Sequence, residues 1–226
     1  MTLYKVNKKN KTNRNIFGLL SCVLGSFILL TQVAVAADTN NQTDKRNFQP
    51  APLVSIPTHD AFFDAIKAHC GKAYSGKVTV DNAPGDSFTN KPLVMFVRKC
   101  SDTELQIPFY VGDDASRTWI IKKTGSGLSL KHDHRHKDGS MDDSTMYGGH
   151  TVDAGYNQVQ SFPADQYSKE LFVSSGIPQS VTNTWQMFIY PEKFSYRLIR
   201  EGREFRVDFD LSKAITQPSA PWGYFD

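Results

Sequence analysis

His132, His134 and His136 recur at every second position in "KHDHRHKDG", residues 131–139. On an extended chain, residues i and i+2 share a face and stand ~6.8 Å apart at the backbone. Two imidazoles at that spacing can converge on one ion, so His132 and His134 are candidate ligands for zinc or copper. A third ligand would come from a neighbouring strand, with His150 and Asp143 the candidates, and an open fourth position would allow water activation. His136 lies farther along and need not share the site. The same imidazoles also suit the polar wall of a small-molecule pocket, where they would hydrogen-bond a ligand or water. Leu128 and Leu130 precede them on the same face, so the histidines extend an apolar stripe towards one end of a sheet. Lys131, Asp133, Arg135 and Lys137 occupy the opposite face, which is expected to be wet.

Turn chemistry supplies neighbours for this run. A two-residue turn at Gly125-Ser126 sets Trp119 opposite His132 and Arg117 opposite His134. A like turn at Asp138-Gly139 would set Asp143 across from His134. Arg117 and Trp119 therefore join His132, His134 and His136 as candidate ligand-binding residues.

Other chemistry finds less support. Gly125-Ser126-Gly127 sits between two strands with no helix after it and reads as a turn, not a nucleophile elbow. "MYGGH" at 146–150 lacks the spacing and helix of a phosphate loop and reads as a turn or bulge. The neighbouring carboxylates Asp113-Asp114 and Asp142-Asp143 point to opposite faces on a strand and are solvated in a turn. His59 and His69 flank a predicted helix and are assigned to structure. Trp119, Trp185, Phe194, Tyr196, Phe205 and Phe209 are core candidates, some of which could line a cavity.

The elements that must position these residues are mostly strands. "NTWQMFIYPEKFSYRLIREGREFRVDFDL" alternates over three runs separated by turn signals. A turn at Glu201-Gly202 pairs Leu198 with Phe205, Tyr196 with Val207 and Phe194 with Phe209. A two- or four-residue connection around Pro191-Glu192 puts Trp185, Met187 and Ile189 on that same face and leaves Arg197, Arg206, Asp208 and Asp210 on the other. Further strands are predicted at 73–80, 92–100, 104–112, 117–123 and 128–136, with weaker ones around 143–152 and 157–162 and a short helix within 163–175. A helix is predicted in "THDAFFDAIKAHCG", with Thr58 as N-cap, Phe62, Phe63, Ile66 and Cys70 on one face, and Gly71 as the stop. The fold class is therefore mainly β: an antiparallel, up-and-down barrel of 8–10 strands with an N-terminal helix, a sandwich being the alternative.

The run from "SRTWIIKKTGSGLSLKHDHRHKDG" through "TMYGGHTVDAGYNQVQSFPAD" to "FRVDFDL" resembles a group of uncharacterised exported bacterial proteins, over most of the chain after residue 57. The pattern is more loosely similar to the calycins, the lipocalin and fatty-acid-binding barrels. Lipocalins carry Gly-x-Trp on their first strand, where this chain has Gly76-Lys77-Val78. The resemblance implies export and a calycin-like barrel, with no particular ligand.

Residues 1–36 are organised like a secretory signal. Lys5, Lys8, Lys9, Lys11 and Arg14 precede the apolar run 16–36, which ends in Ala34-Val35-Ala36. The alternatives are an uncleaved membrane anchor and lipidation of Cys22 in "LLSC". Residues 37–57 read as a flexible linker, and 58–226 as the barrel domain. Five of the 26 basic residues and none of the 23 acidic ones fall in the leader, which leaves 21 against 23. The basic balance thus belongs to the leader, and nothing points to nucleic acid as a partner or to a membrane span after cleavage. Cys70 and Cys100, an even pair in an oxidising compartment, read as a disulfide. The expected function is binding of a small molecule or metal ion at the barrel mouth by a periplasmic or secreted protein, without turnover. A metal-dependent enzyme using the His132/His134 cluster with Arg117 or Asp143 is the alternative, and a solid-packed structural or envelope-interaction protein the third. N-terminal sequencing of the exported product is expected to begin at Ala37; an intact chain, or a lipid on Cys22, would overturn the cleavage reading.

Overall fold

A computed structural model describes residues 52–83, 88 and 90–225. The leader over 1–36, its Cys22 and residues 37–51 of the linker lie outside the described residues. Among the described residues, no helix is long and apolar enough to cross a membrane. A helix, α1 (Pro57–Lys67), leads into strands β1 (Ala73–Asp81), β2 (Leu93–Phe96), β3 (Lys99–Cys100), β4 (Glu104–Val111), β5 (Asp114–Thr124), β6 (Gly127–His134) and β7 (Tyr147–His150). After β8 (Val159–Pro163) come α2 (Gln166–Ser174) and a short 3-10 helix (Pro178–Thr182). Strands β9 (Thr184–Tyr190), β10 (Lys193–Arg200) and β11 (Arg203–Asp210) follow.

The strands run β7-β6-β5-β4-β2-β1-β11-β10-β9-β8, every pair antiparallel, with β3 beside β4. Neighbours in the sheet are thus neighbours in the chain, and β11 returns to β1, which makes a nearly closed up-and-down barrel. The turn readings hold at three hairpins. Leu198 pairs with Phe205, Tyr196 with Val207 and Phe194 with Phe209. Trp185 pairs with Leu198 and Ile189 with Phe194, while Trp119 meets His132 and Arg117 meets His134. At Gly202 φ is +69°, the left-handed conformation that a two-residue turn demands and glycine supplies without strain.

Three local readings change. The helix is shorter than 58–71: Pro57 opens it, Ile56 is its N-cap, and Thr58 spends its hydroxyl on the Ala154 carbonyl. Cys70 lies beyond it. The strand expected at 92–100 is broken at Val97-Arg98, and the break faces the part of β4 that holds Pro108, whose nitrogen has no hydrogen to donate. "YGGH" lies in the weaker strand expected around 143–152 and is not the turn or bulge that its glycines suggested.

The disulfide joins Cys70 to Cys100, 30 residues apart, and ties the end of the α1 segment to β3. A loop of this length contributes ~3–4 kcal/mol in the chain-entropy account. Inside the barrel, Phe62, Phe63 and Ile66 of α1 are buried with Leu105, Ile121, Met187 and Phe194. Helix α1 packs at the end of the barrel where the β5–β6 turn lies: Lys123 grips Asp60 at 2.6 Å, and His59 bonds the Asp153 carbonyl at 2.9 Å. The opposite end carries α2, the 3-10 helix and the tip of the β10–β11 hairpin.

The expected wet face of β6 is also revised. Asp133 is buried, because the chain after β11 straps across the outside of the barrel. Ile215 pairs with Ala73, Tyr110 donates to the Ser219 carbonyl at 2.7 Å, and Trp222 N–H donates to the Ala115 carbonyl at 3.1 Å. Tyr224 then donates to Asp133 at 2.5 Å, and Arg135 Nε bonds both carboxylate oxygens at 3.0 Å. A buried carboxylate needs such partners, since an unpaired one would cost several kcal/mol.

The seam between β7 and β8 closes the ring with one bridge, Gly149 to Ala164. Asp165 N–H donates to the Gly148 carbonyl at 3.0 Å, and Gly148 N–H to Ser168 Oγ at 2.6 Å. A β-carbon on Gly148 would overlap the Leu130 carbonyl, and one on Gly149 the Pro163 carbonyl. Gly149→Ala is expected to lower stability by about 3 kcal/mol through forced separation of the seam, read as a fall in the urea midpoint. An unchanged midpoint would show that the seam accommodates a side chain.

Candidate functional site

Facing β5 and β6, the open end of the barrel holds a cavity of about 340 Å³. Its wall is two aromatic stacks. In one, Phe109 stacks on Trp119 at 4.9 Å and Trp119 on Tyr196 at 4.6 Å between ring centres. In the other, Tyr147 stacks on His132 at 4.6 Å, with Trp185 5.0 Å from His132 and 5.7 Å from Tyr147. Phe172 of α2 and Phe88 of the β1–β2 connection complete the apolar lining. These rings meet because the inward positions of β4, β5, β6, β9 and β10 fall at one level of the barrel.

A hydrogen bond joins the stacks. His132 Nδ1 lies 3.2 Å from the Tyr147 carbonyl oxygen, which can only accept, so Nδ1 carries the proton. Nε2 is then an acceptor, and the Tyr196 hydroxyl, 2.8 Å away, donates to it. The ring is buried to 3 % exposure. Burial, with His134 as a nearby positive charge, depresses the His132 pKa from 6.5 to about 3. His134 follows in the same direction, through burial and then the Arg117 cation, and its Nε2 stands 3.1 Å from the Tyr147 hydroxyl. Burial lifts the Tyr147 hydroxyl to about 12 and Tyr196 well above the usual phenol range. Both phenols therefore stay protonated at neutral pH.

Four of the five candidate ligand-binding residues line this cavity: Arg117, Trp119, His132 and His134. His136 does not. It is exposed beyond the end of β6, with its ring 3.9 Å from Asp142. The four proposed metal ligands are not brought together. His150 pairs with Ser129 on the outer face and turns to Asp165 at 3.5 Å. Asp143 is exposed, and its expected position opposite His134 is off by one residue. The connection closes as a three-residue loop, with His136 N–H donating to the Ser140 carbonyl at 2.9 Å, so Arg135 faces Met141. Both nitrogens of His132 are already engaged. Among the described residues, no three His, Cys, Asp or Glu side chains are grouped as a metal ion would require.

Residues that the sequence reading did not assign to the site are Tyr147, Phe172, Asn183, Arg200 and Arg203, all of which line the cavity. Arg200 and Arg203 were legible in principle. They continue the inward stripes Phe194-Tyr196-Leu198 and Phe205-Val207-Phe209 by one further step of two. Tyr147 lies in the weaker strand expected around 143–152, whose glycines give no alternation to mark its inward face. Compared with protein-family models, curated proteins and solved structures, the chain matches none.

Neutral burial of His132 sets the sign of a pH effect. Between pH 6.5 and 3 the unfolded chain binds a proton that the folded ring refuses, so stability is lost as pH falls through this window, with a limiting slope of about 1.4 kcal/mol per pH unit. His134 adds to the loss in the same direction. Urea denaturation from pH 6.5 to pH 5, above the carboxylate range, should show this slope, and His132→Gln should flatten it. The same slope in the variant would place the proton uptake elsewhere.

Proposed function

We propose that this chain is an exported binding protein that holds a small molecule in the open end of its barrel, without turnover. One observation carries the reading: a cavity of about 340 Å³ walled by aromatic rings, with polar groups at its edge. Cavities of ~300–1,000 Å³ with apolar walls and a few placed polar groups are the usual form of small-molecule sites. The cavity also weighs against the solid-packed reading, since only the α1 end of the barrel is filled. Export is supported by the leader pattern of residues 1–36 and by the Cys70–Cys100 disulfide, a bond that persists in oxidising compartments.

The catalytic alternative is disfavoured by the state of His132. A general base serves best with a pKa near the working pH, and this ring, at about 3, has its free lone pair occupied by Tyr196. What the arrangement does supply is a rigid wall. Each ring is fixed by its neighbours, so little side-chain freedom remains to be lost when a ligand arrives.

The test uses N-phenyl-1-naphthylamine, a neutral probe that fluoresces in apolar surroundings. Saturable binding of one probe per chain is expected, with energy transfer from Trp119 and Trp185. Leu198→Trp, which fills the cavity from β10, should abolish uptake while leaving the circular dichroism and melting temperature near those of the parent. Uptake that does not saturate, or that survives Leu198→Trp, would overturn the reading.

A further inference from the structure

The cavity's charge is one-sided. The inward stripes of β5, β6, β10 and β11 end at the open rim in Arg117, His134, Arg200 and Arg203, and among the described residues no aspartate or glutamate lines the space. Two of the three arginines are neutralised from outside it. Arg117 bonds Asp114 at 2.5 Å, and Arg203 bonds Asp81 at 2.6 Å. Arg200 differs: its partner is the Asn183 amide oxygen, 3.2 Å away.

Arg200 and Arg203 also stand directly opposite each other across the β10–β11 ladder. Like charges in that position destabilise a sheet unless each is compensated. Asp81 does this for Arg203, while a neutral amide cannot do it for Arg200. Donation from Arg200 fixes the Asn183 oxygen as the acceptor. The amide N–H₂ group of that buried side chain is then left as a donor next to the guanidinium, on the same cavity wall. A guanidinium and an amide side by side bind the two oxygens of one acidic group, and charge-assisted bonds of this kind are about twice as strong as neutral ones.

Resting on the small-molecule reading above, we propose that the ligand is an organic monoanion: a planar, apolar body against the aromatic wall and one carboxylate or sulfonate on Arg200 and Asn183. The rings supply flat apolar surface, and the single uncompensated charge sets the number of acidic groups at one.

Two probes with the same rings test this. 1-Anilinonaphthalene-8-sulfonate carries one sulfonate that N-phenyl-1-naphthylamine lacks. The sulfonate is expected to bind at least about tenfold more tightly at low salt, and Arg200→Gln should reduce it to the level of the neutral probe. The neutral probe should change less than twofold in that variant. Arg200→Lys, which keeps the charge, should keep part of the preference, and Arg197→Gln on the outer face of the same strand should alter neither probe. Equal affinity of the two probes in the parent protein would overturn the anion assignment and leave the cavity reading standing. Failure of both to bind would remove the cavity reading itself. Loss of both probes in an Arg200→Gln protein that melts like the parent would show that Arg200 shapes the cavity without binding the acid, which also overturns the proposal.

Discussion

A sheet that curls into a barrel must join its two edges, and here that closure depends on how closely β7 can approach β6 and β8. A regular ladder would carry several rungs, whereas this seam has the single bridge from Gly149 to Ala164. The deficit is met from α2. Asp165 caps that helix through the Ser168 N–H, bonds Lys131 on β6 and lies 3.5 Å from His150 on β7. Burial alone would raise the Asp165 carboxyl, but its bonds to Lys131 and Ser168 hold it below the usual carboxylate range. One carboxylate therefore anchors the helix, the penultimate strand of one edge and the last strand of that edge. The cavity inherits this constraint, because Tyr147 begins β7 and Phe172 projects from α2.

The two ends of the barrel solve opposite problems with the same inward stripes. At the α1 end, Phe62, Phe63 and Ile66 fill the space and Lys123 is consumed by Asp60. At the other end the stripes become aromatic and then basic. There α2 and the 3-10 helix give Phe172 and Ser180 to the lining, and rings packed against rings hold the rest of the wall. Stacked aromatic contacts add ~0.5–1.5 kcal/mol each beyond the area they bury, enough to keep the wall in one arrangement without a plug behind it.

Much of this was legible in the sequence, because hairpin register follows from turn length and side-chain alternation. The turns at Gly125-Ser126, Pro191-Glu192 and Glu201-Gly202 each fix which residues share a face, and Trp119 opposite His132 followed from that alone. The method failed where the turn was ambiguous or the signal was not local. "KDG" closes as three residues instead of two and moves Asp143 away from His134. Gly148-Gly149 carries no alternation, since its role is to lack side chains. Asp133 looked wet because the segment that covers it, ending in Tyr224, lies 91 positions away in sequence and has no period of its own.

The opening histidines illustrate how one spacing supports opposed chemistries until burial is known. A metal site needs imidazole lone pairs that face a common point and are free. In this barrel, the lone pair of His132 accepts from Tyr196 and its proton goes to the Tyr147 carbonyl, so releasing either nitrogen would leave a buried polar group unpaired, at about 1–3 kcal/mol. His134 faces the same cavity and contacts the Tyr147 hydroxyl, whereas His136 has left the sheet for solvent. The three residues thus divide by depth: a neutral strut deep in the wall, a polar contact nearer the rim and an exposed side chain outside. That gradient fits a cavity which excludes charge at its base and meets it at its mouth, where Arg200 rather than any histidine carries the uncompensated cation.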